Sequence, residues 1–234
     1  MSSPNPKIRQ LAAPQFSFDR TDSNSSIVLD DDLYEGYYLD AVGHWNYDFD
    51  ALDEEESIIY DTYVGPTPES NWLIPSRIMV GAFPASEDDN ETDELISSLL
   101  FSRVSTFVCL QQEYQVHVTE QDWREGRALR PYFKDAKSIA EKFQGTIYAD
   151  IVCPPTGLRF IHFPIVDCSI SDDTYILKLC IDLVRRISQG EILYIHCWGG
   201  HGRTGTVVSI MLHLMYGLSA LDCMSHCQTT HDLR

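Results

Sequence analysis

The chain has 234 residues, 44% of them hydrophobic, and a formal net charge of −18 at pH 7. This length allows one substantial domain with an extension, and the apolar fraction is sufficient for a buried core. So acidic a balance argues against nucleic acid or an anionic membrane surface as a partner.

Three parts are predicted along the chain. Residues 1–26 are rich in Ser, Pro and Asn and are expected to form a disordered tail. Residues 27–70 are acidic but also aromatic, which favours packing along a folded domain over a solvated tail. A less favoured alternative is that acid-flanked tyrosines such as Tyr34 are kinase targets or a pseudosubstrate. The folded domain is expected over residues 71–234.

Cysteine usage and hydropathy indicate the compartment. Seven cysteines, an odd number, occur without the N-terminal apolar segment of a secretion signal. The longest apolar stretch, residues 207–221, is too short to span a bilayer and contains His213. We therefore expect a cytoplasmic protein with reduced cysteines and no membrane insertion. Its oligomeric state is left open.

Strands and helices alternate in the hydrophobic pattern of the domain. In chain order, we expect an opening strand with turns (71–81), a helix (91–101), a strand (105–110) and a mostly helical segment broken at Pro131 (119–143). A strand (158–163), a helix capped by Ser171 (171–189), a strand (191–196) and two final helices (204–216 and 218–231) follow. This order predicts an α/β fold in which helices flank a central, mainly parallel sheet. In such sheets the site lies at the C-terminal end of a strand.

The segment from His196 to Gly205, HCWGGHGRTG, joins a predicted strand to a predicted helix. Cys197 therefore lies at a helix N-terminus, where the helix dipole favours a thiolate and an anionic ligand. Arg203 can bind two phosphate oxygens at once. The Thr204 hydroxyl is expected beside the sulfur, where it can stabilise the departing thiolate. A phosphate-binding nest is expected from the backbone of Trp198, Gly199, Gly200, His201 and Gly202.

The same loop also contains the dinucleotide-binding pattern G-x-G-x-x-G, from Gly200 to Gly205. That interpretation needs a further parallel strand, ending in an acidic residue about 20 positions later. Residues 218–231 are instead predicted to be helical. The nucleotide-binding P-loop is disfavoured as well, since the loop has no lysine.

The loop resembles the signature of the cysteine-dependent protein tyrosine and dual-specificity phosphatases, His-Cys-x5-Arg followed by Ser or Thr. The resemblance implies a phosphatase-like fold and a phosphocysteine intermediate without a cofactor. Its implied substrates are phosphomonoesters on proteins, phosphotyrosine and also phosphoserine or phosphothreonine. The Trp-Pro-Asp loop of the tyrosine-specific enzymes is absent, which favours the dual-specificity or atypical branch. Trp198 and His201 stand where phosphoinositide-directed members often carry lysine. A phosphoinositide phosphatase and a catalytically impaired phosphate-binding module are the alternatives.

The family takes its general acid from a loop about thirty residues before the cysteine. Asp167, in the segment Pro164-Ile-Val-Asp167, lies 30 residues before Cys197 and is the implied acid. Asp172 and Asp173 are competitors, but they fit the first turn of the next helix.

The last predicted helix has four metal-ligating residue types on one face, Cys223, His226, Cys227 and His231. We favour a core-facing stripe, because tetrahedral sites rarely come from one straight helix, and we expect no metal. Several family members continue beyond this helix. Whether this chain is a compact variant or is incomplete stays open.

Overall fold

A computed structural model describes residues 62–152, 157–169 and 172–234. The predicted tail and most of the acidic aromatic extension lie outside the described residues. The strands are Ser70–Ile74 (β1), Ile78–Gly81 (β2), Thr106–Gln111 (β3), Arg159–Ile165 (β4) and Leu193–His196 (β5). The helices are Asp89–Phe101 (α1), Glu120–Arg124 (α2), Phe133–Lys142 (α3), Ala149–Val152 (α4), Asp173–Ser188 (α5), Gly202–Tyr216 (α6) and Ala220–His231 (α7).

The strands form one sheet in the order β1-β2-β5-β3-β4. β5 pairs in parallel with β2 and β3, and β4 pairs in parallel with β3. β1 runs antiparallel to β2. The predicted α/β fold with a mainly parallel sheet is confirmed. Because β2, β3, β4 and β5 point the same way, the segments that follow them meet at one edge of the sheet.

Helices cover both faces of the sheet, as the alternation of side chains along β5 illustrates. Leu193 and Ile195 belong to the hydrophobic cluster shared with α5, α6 and α7. Tyr194 points to the opposite face and joins the cluster built with α1, α3 and α4. Burial on both faces is typical of a central parallel strand and fixes the position of the loop that follows it.

Two boundaries differ from the sequence prediction. The opening strand is a hairpin, because Pro75 lacks a backbone N–H and Ser76 adopts the left-handed conformation, with φ 58°. The predicted Ser171 cap of α5 is wrong: the cap is Asp172, whose Oδ1 accepts from the backbone N–H of Thr174 at 3.0 Å. A carboxylate at this position also interacts favourably with the helix dipole.

The helix α6 begins at Gly202, two residues before the predicted start. It ends as predicted at Gly217, which has φ 68° and donates its N–H to His213 O at 2.8 Å. Among the described residues, no helix combines the length and the apolar character needed to cross a bilayer.

Candidate active site

Cys197 lies between the centre of the sheet and a helix N-terminus. It directly follows β5 and precedes α6 by a short loop, so the sequence predicted this placement correctly. Its side chain is buried together with the core of α5 and α6. A cysteine held at the carboxyl end of a parallel strand and near a helix N-terminus is placed to bind and attack an anion.

Arg203 connects the loop to two neighbouring strands. Its side chain is 4% exposed, and Nη1 donates to Glu113 Oε2 at 2.8 Å and to Ile165 O at 3.1 Å. Nη2 lies 3.1 Å from Asp167 Oδ1. Burial acts against the charge, but Glu113, Cys197 and Asp167 outweigh it, and the pKa of Arg203 is raised. The cation is therefore fixed in its charged form within the site.

Asp167 follows β4 by two residues, and its side chain is largely exposed, at 66%. Among the three candidate acids Asp167, Asp172 and Asp173, Asp167 is observed to contact Arg203. Asp172 is engaged in capping α5, and Asp173 lies in the first turn of that helix. The structure thus brings Asp167, Arg203 and the loop of Cys197 together.

Glu113 was not predicted as a site residue. It lies two positions after the end of β3, and its carboxylate contacts Arg203 through both oxygens, at 3.2 and 2.8 Å. A signal was available in the sequence, since acidic residues that follow strands of a parallel sheet meet at one edge. Without the strand order, however, the adjacency of β3 and β5 could not be read from the pattern.

His196 and Tyr132 form a buried pair directly behind the cysteine. The Tyr132 hydroxyl lies 2.6 Å from His196 Nε2, and His196 Nδ1 lies 3.3 Å from Cys197 O. Burial lowers the pKa of His196 to about 3, so the imidazole is neutral. We assign Nδ1–H as the donor to Cys197 O, with Nε2 accepting from the Tyr132 hydroxyl. No pattern in the sequence indicated that Tyr132 would lie at the site.

The remaining loop residues fill different positions. Trp198 is 63% exposed and stacks on Phe83, with ring centroids 6.2 Å apart. This pair borders a cleft of about 340 Å³ that also contacts Glu113, Trp123, Arg127 and Arg130. The His201 ring leans away toward α7, where its Nε2 lies 3.2 Å from His231 Nε2.

The Thr204 hydroxyl is buried and has no hydrogen-bond partner among the described residues. It makes no hydrogen bond to the sulfur of Cys197 in this structure, and its expected role beside the sulfur stays a prediction.

Comparisons with known proteins agree with this geometry. Residues 144–233 match the family described as Swiss Army Knife protein, DSP-PTPase phosphatase domain. The matched part of the chain, which includes the loop of Cys197, resembles the dual-specificity branch of the cysteine-dependent protein tyrosine phosphatases, as the sequence predicted.

Individual relatives are more distant. The protein 197R of Invertebrate iridescent virus 6, which is named as a tyrosine phosphatase, is 31% identical over 78 residues, covering 31% of this chain and 29% of that protein. The tyrosine-protein phosphatase cdc-14 of Caenorhabditis elegans is 25% identical over 178 residues, covering 76% of this chain and 21% of that protein. The chain thus spans less than a third of either relative. The crystal structure of Tk-PTP in its active form has 22% identity and a TM-score of 0.46, covering 70% of this chain and 84% of that one.

A second buried thiol lies close to the phosphatase loop. Cys109 of β3 is the register partner of His196, and burial raises the pKa of its thiol to about 12. It therefore stays protonated at neutral pH and is no competitor to Cys197 as a nucleophile.

The cysteine and histidine stripe of α7 has structural contacts. His226 is buried, and its Nε2 lies 2.9 Å from Leu73 O, while Cys227 Sγ lies 3.5 Å from Ser209 Oγ. In the part of the chain that the structure describes, no three His, Cys, Asp or Glu side chains are grouped to hold a metal ion.

Proposed function

We propose that this protein hydrolyses phosphomonoesters on proteins, phosphotyrosine and also phosphoserine or phosphothreonine, through a phosphocysteine intermediate. The observation that carries the proposal is the position of Cys197 between the central strand and α6, with Arg203 in contact with Asp167 at 3.1 Å. Nucleophile, anion-binding cation and candidate acid come from separate elements and meet at one sheet edge.

The reaction has two steps. In the first, the Cys197 thiolate attacks phosphorus, the P–O bond to the leaving group breaks, and Asp167 transfers its proton to the departing oxygen. In the second, the Asp167 carboxylate takes a proton from water, which attacks the phosphocysteine. The S–P bond breaks, and inorganic phosphate and the thiolate are released.

Charge stabilisation comes from the loop and from Arg203. Amide groups of Trp198 to Arg203 and the guanidinium fork donate to the phosphoryl oxygens, which carry the charge in the transition state. Phosphate binding by the loop depends on the backbone N–H groups, and not on the side chains, of Trp198, Gly199, Gly200, His201 and Gly202. The Thr204 hydroxyl is assigned to the second step, where it assists the departing thiolate after a change of rotamer.

A generic aryl phosphate tests the chemistry. We expect turnover by the unchanged protein, its loss in Cys197→Ser and retained phosphate binding in that variant, because the loop amides and Arg203 remain. Arg203→Lys is expected to reduce turnover severely, since the point charge of a lysine cannot replace the bidentate guanidinium. Cys227→Ser, which changes a half-buried cysteine of α7 outside the loop, is the matched control and should keep full activity. Turnover by Cys197→Ser within about tenfold of the parent would contradict the mechanism.

A substrate panel tests the protein specificity. Phosphotyrosine, phosphoserine and phosphothreonine peptides are compared with soluble phosphoinositides at equal concentration. Peptide turnover above lipid turnover supports the proposal. Preferred hydrolysis of phosphoinositides would replace it with the lipid alternative. Phosphate binding without turnover of any substrate would identify an impaired binding module.

A further inference from the structure

Two backbone carbonyls of the phosphatase loop are held by groups outside the loop. Trp198 O accepts from the backbone N–H of Phe83 at 2.9 Å, and Gly199 O accepts from Arg234 Nη1 at 3.2 Å. The described residues contain no cis peptide bond. In a trans peptide the carbonyl of one residue and the N–H of the next point in opposite directions. The N–H groups of Gly199 and Gly200 therefore point away from Phe83 and Arg234.

Arg234 is itself fixed in place. Its Nε donates to Asn71 Oδ1 at 2.6 Å, and Asn71 is fully buried at the start of β1. Arg234 also packs tightly on the loop, since a Cβ added to Gly200 would lie 2.9 Å from its Nη1. The guanidinium thus connects Asn71 of the edge strand β1 to the Gly199–Gly200 peptide.

We infer that Arg234 is a positioning residue, which holds the Gly199–Gly200 peptide with the Gly200 N–H directed at the bound phosphate. The inference rests on the proposed function and assigns to Arg234 a part of the oxyanion binding. Without this bond the peptide is free to rotate, and a carbonyl directed at the phosphate would repel it. The charge of Arg234 also adds to the positive potential behind the loop, although burial lowers its pKa.

The first test measures phosphate binding in the Cys197→Ser background by calorimetry. Loss of one charge-assisted positioning bond should weaken phosphate binding about tenfold in Arg234→Ala. Arg234→Lys should restore part of the affinity, because a lysine can reach one of the two acceptors. The control is Arg103→Ala, an exposed arginine at the opposite end of the strands, which should leave the affinity unchanged.

The second test uses the active protein with an aryl phosphate. Arg234→Ala should raise KM and the inhibition constant of inorganic phosphate together, by about tenfold. A merely structural role would lower the melting temperature and the active fraction but leave the phosphate affinity of the folded protein unchanged. If Arg234→Ala does not fold, KM and the inhibition constant of phosphate are compared between Arg234→Lys and the parent instead.

The outcomes separate the two hypotheses. Equal phosphate affinity in the parent, Arg234→Lys and Arg234→Ala overturns the positioning role and leaves the proposed function intact. An equal loss in Arg234→Ala and Arg103→Ala overturns it as well, because it would reflect net charge alone. Absence of phosphate binding and turnover in the parent protein overturns both hypotheses.

Discussion

Asp167 combines exposure with an ion pair to a buried arginine, a position suited to reaching a leaving group. The arginine is fixed by Glu113 and Ile165 O, while the aspartate is 66% exposed. A substrate bound at the loop would therefore meet Asp167 from the solvent side. In the proposed reaction, a side-chain rotation would change the partner of this carboxylate from Arg203 to the leaving oxygen.

Replacing this carboxylate should have a specific kinetic effect. Asp167→Asn is expected to lower kcat by about 10²- to 10⁴-fold, because the amide cannot protonate the leaving group. The loss should be smaller for substrates with good leaving groups, and the basic limb of the pH profile should flatten. Asp173→Asn, which removes the same charge from the first turn of α5, is the control. An unchanged pH profile in Asp167→Asn would transfer the role to Asp172 or Asp173.

The buried imidazole behind the cysteine affects stability through its proton. The pKa of His196 is lowered to about 3 by burial, whereas in the unfolded chain it is near its ordinary value of about 6.5. The unfolded state therefore binds more protons between these values, and stability falls as pH decreases through this window. Above pH 6.5 the contribution of this group is constant.

Denaturant unfolding at pH 7 and pH 5 measures this effect. His196 alone should lower the free energy of unfolding by about 2 kcal/mol over that interval. The comparison is with His196→Asn, whose pH dependence should be flatter by that amount, whatever its absolute stability. His226 acts in the same direction, since its pKa is also lowered by burial, and it remains in both proteins. Identical pH slopes would show that His196 is not buried in its neutral form.

At the level of elements, the strand, loop and helix around Cys197 form one unit that requires particular glycines. Gly200 has φ 76°, and an added Cβ would lie 2.5 Å from Gly81 O at the end of β2. A Cβ added to Gly202 would have no neighbouring atom within 4 Å. The fold therefore leaves no room for a side chain at Gly200 but does leave room for one at Gly202.

This contrast gives a matched pair of variants. Gly200→Ala should displace the loop and lower kcat/KM by about 10²-fold, because small misplacements of binding groups are costly. It should also destabilise the protein by about 1–3 kcal/mol through backbone strain. Gly202→Ala should change both quantities little. Steady-state kinetics with thermal unfolding measures both effects, and equal behaviour of the two variants would refute the steric argument.

Local patterns predicted the elements of the site better than its supporting contacts. The strand before Cys197 and the helix after it follow from hydrophobic period and glycine placement, whereas Asp167 was implied by the resemblance to the phosphatase family. Glu113, Tyr132 and Arg234 could not be found this way. Each reaches the loop from an element distant in sequence, and their contacts depend on strand order and on helix packing. The cap of α5 shows the same limit at short range, since adjacent Ser and Asp residues are both good caps.

The whole molecule is strongly acidic, although the proposed function requires an anionic substrate. Residues 1–70 hold 15 acidic and 3 basic residues, and the chain as a whole carries −18. Such a field repels a dianionic phosphomonoester at long range. The attraction that the proposed function requires is short-ranged and comes from Arg203 and the loop amides. Long-range and short-range contributions therefore have opposite signs in this protein.

Salt should separate these two contributions. Raising NaCl from about 0.01 to 0.15 M shortens the Debye length from about 30 Å to about 8 Å, which screens the distant charges far more than the contacts in the loop. We therefore expect kcat/KM for a dianionic aryl phosphate to rise about two- to threefold, mainly through a lower KM. Alkylation of Cys197 supplies a control with a neutral and an anionic probe. The rate with iodoacetamide should stay nearly constant, whereas the rate with iodoacetate should rise with the salt concentration. A fall of kcat/KM over the same range would mean that the cationic site, and not the acidic surface, governs the approach of the substrate.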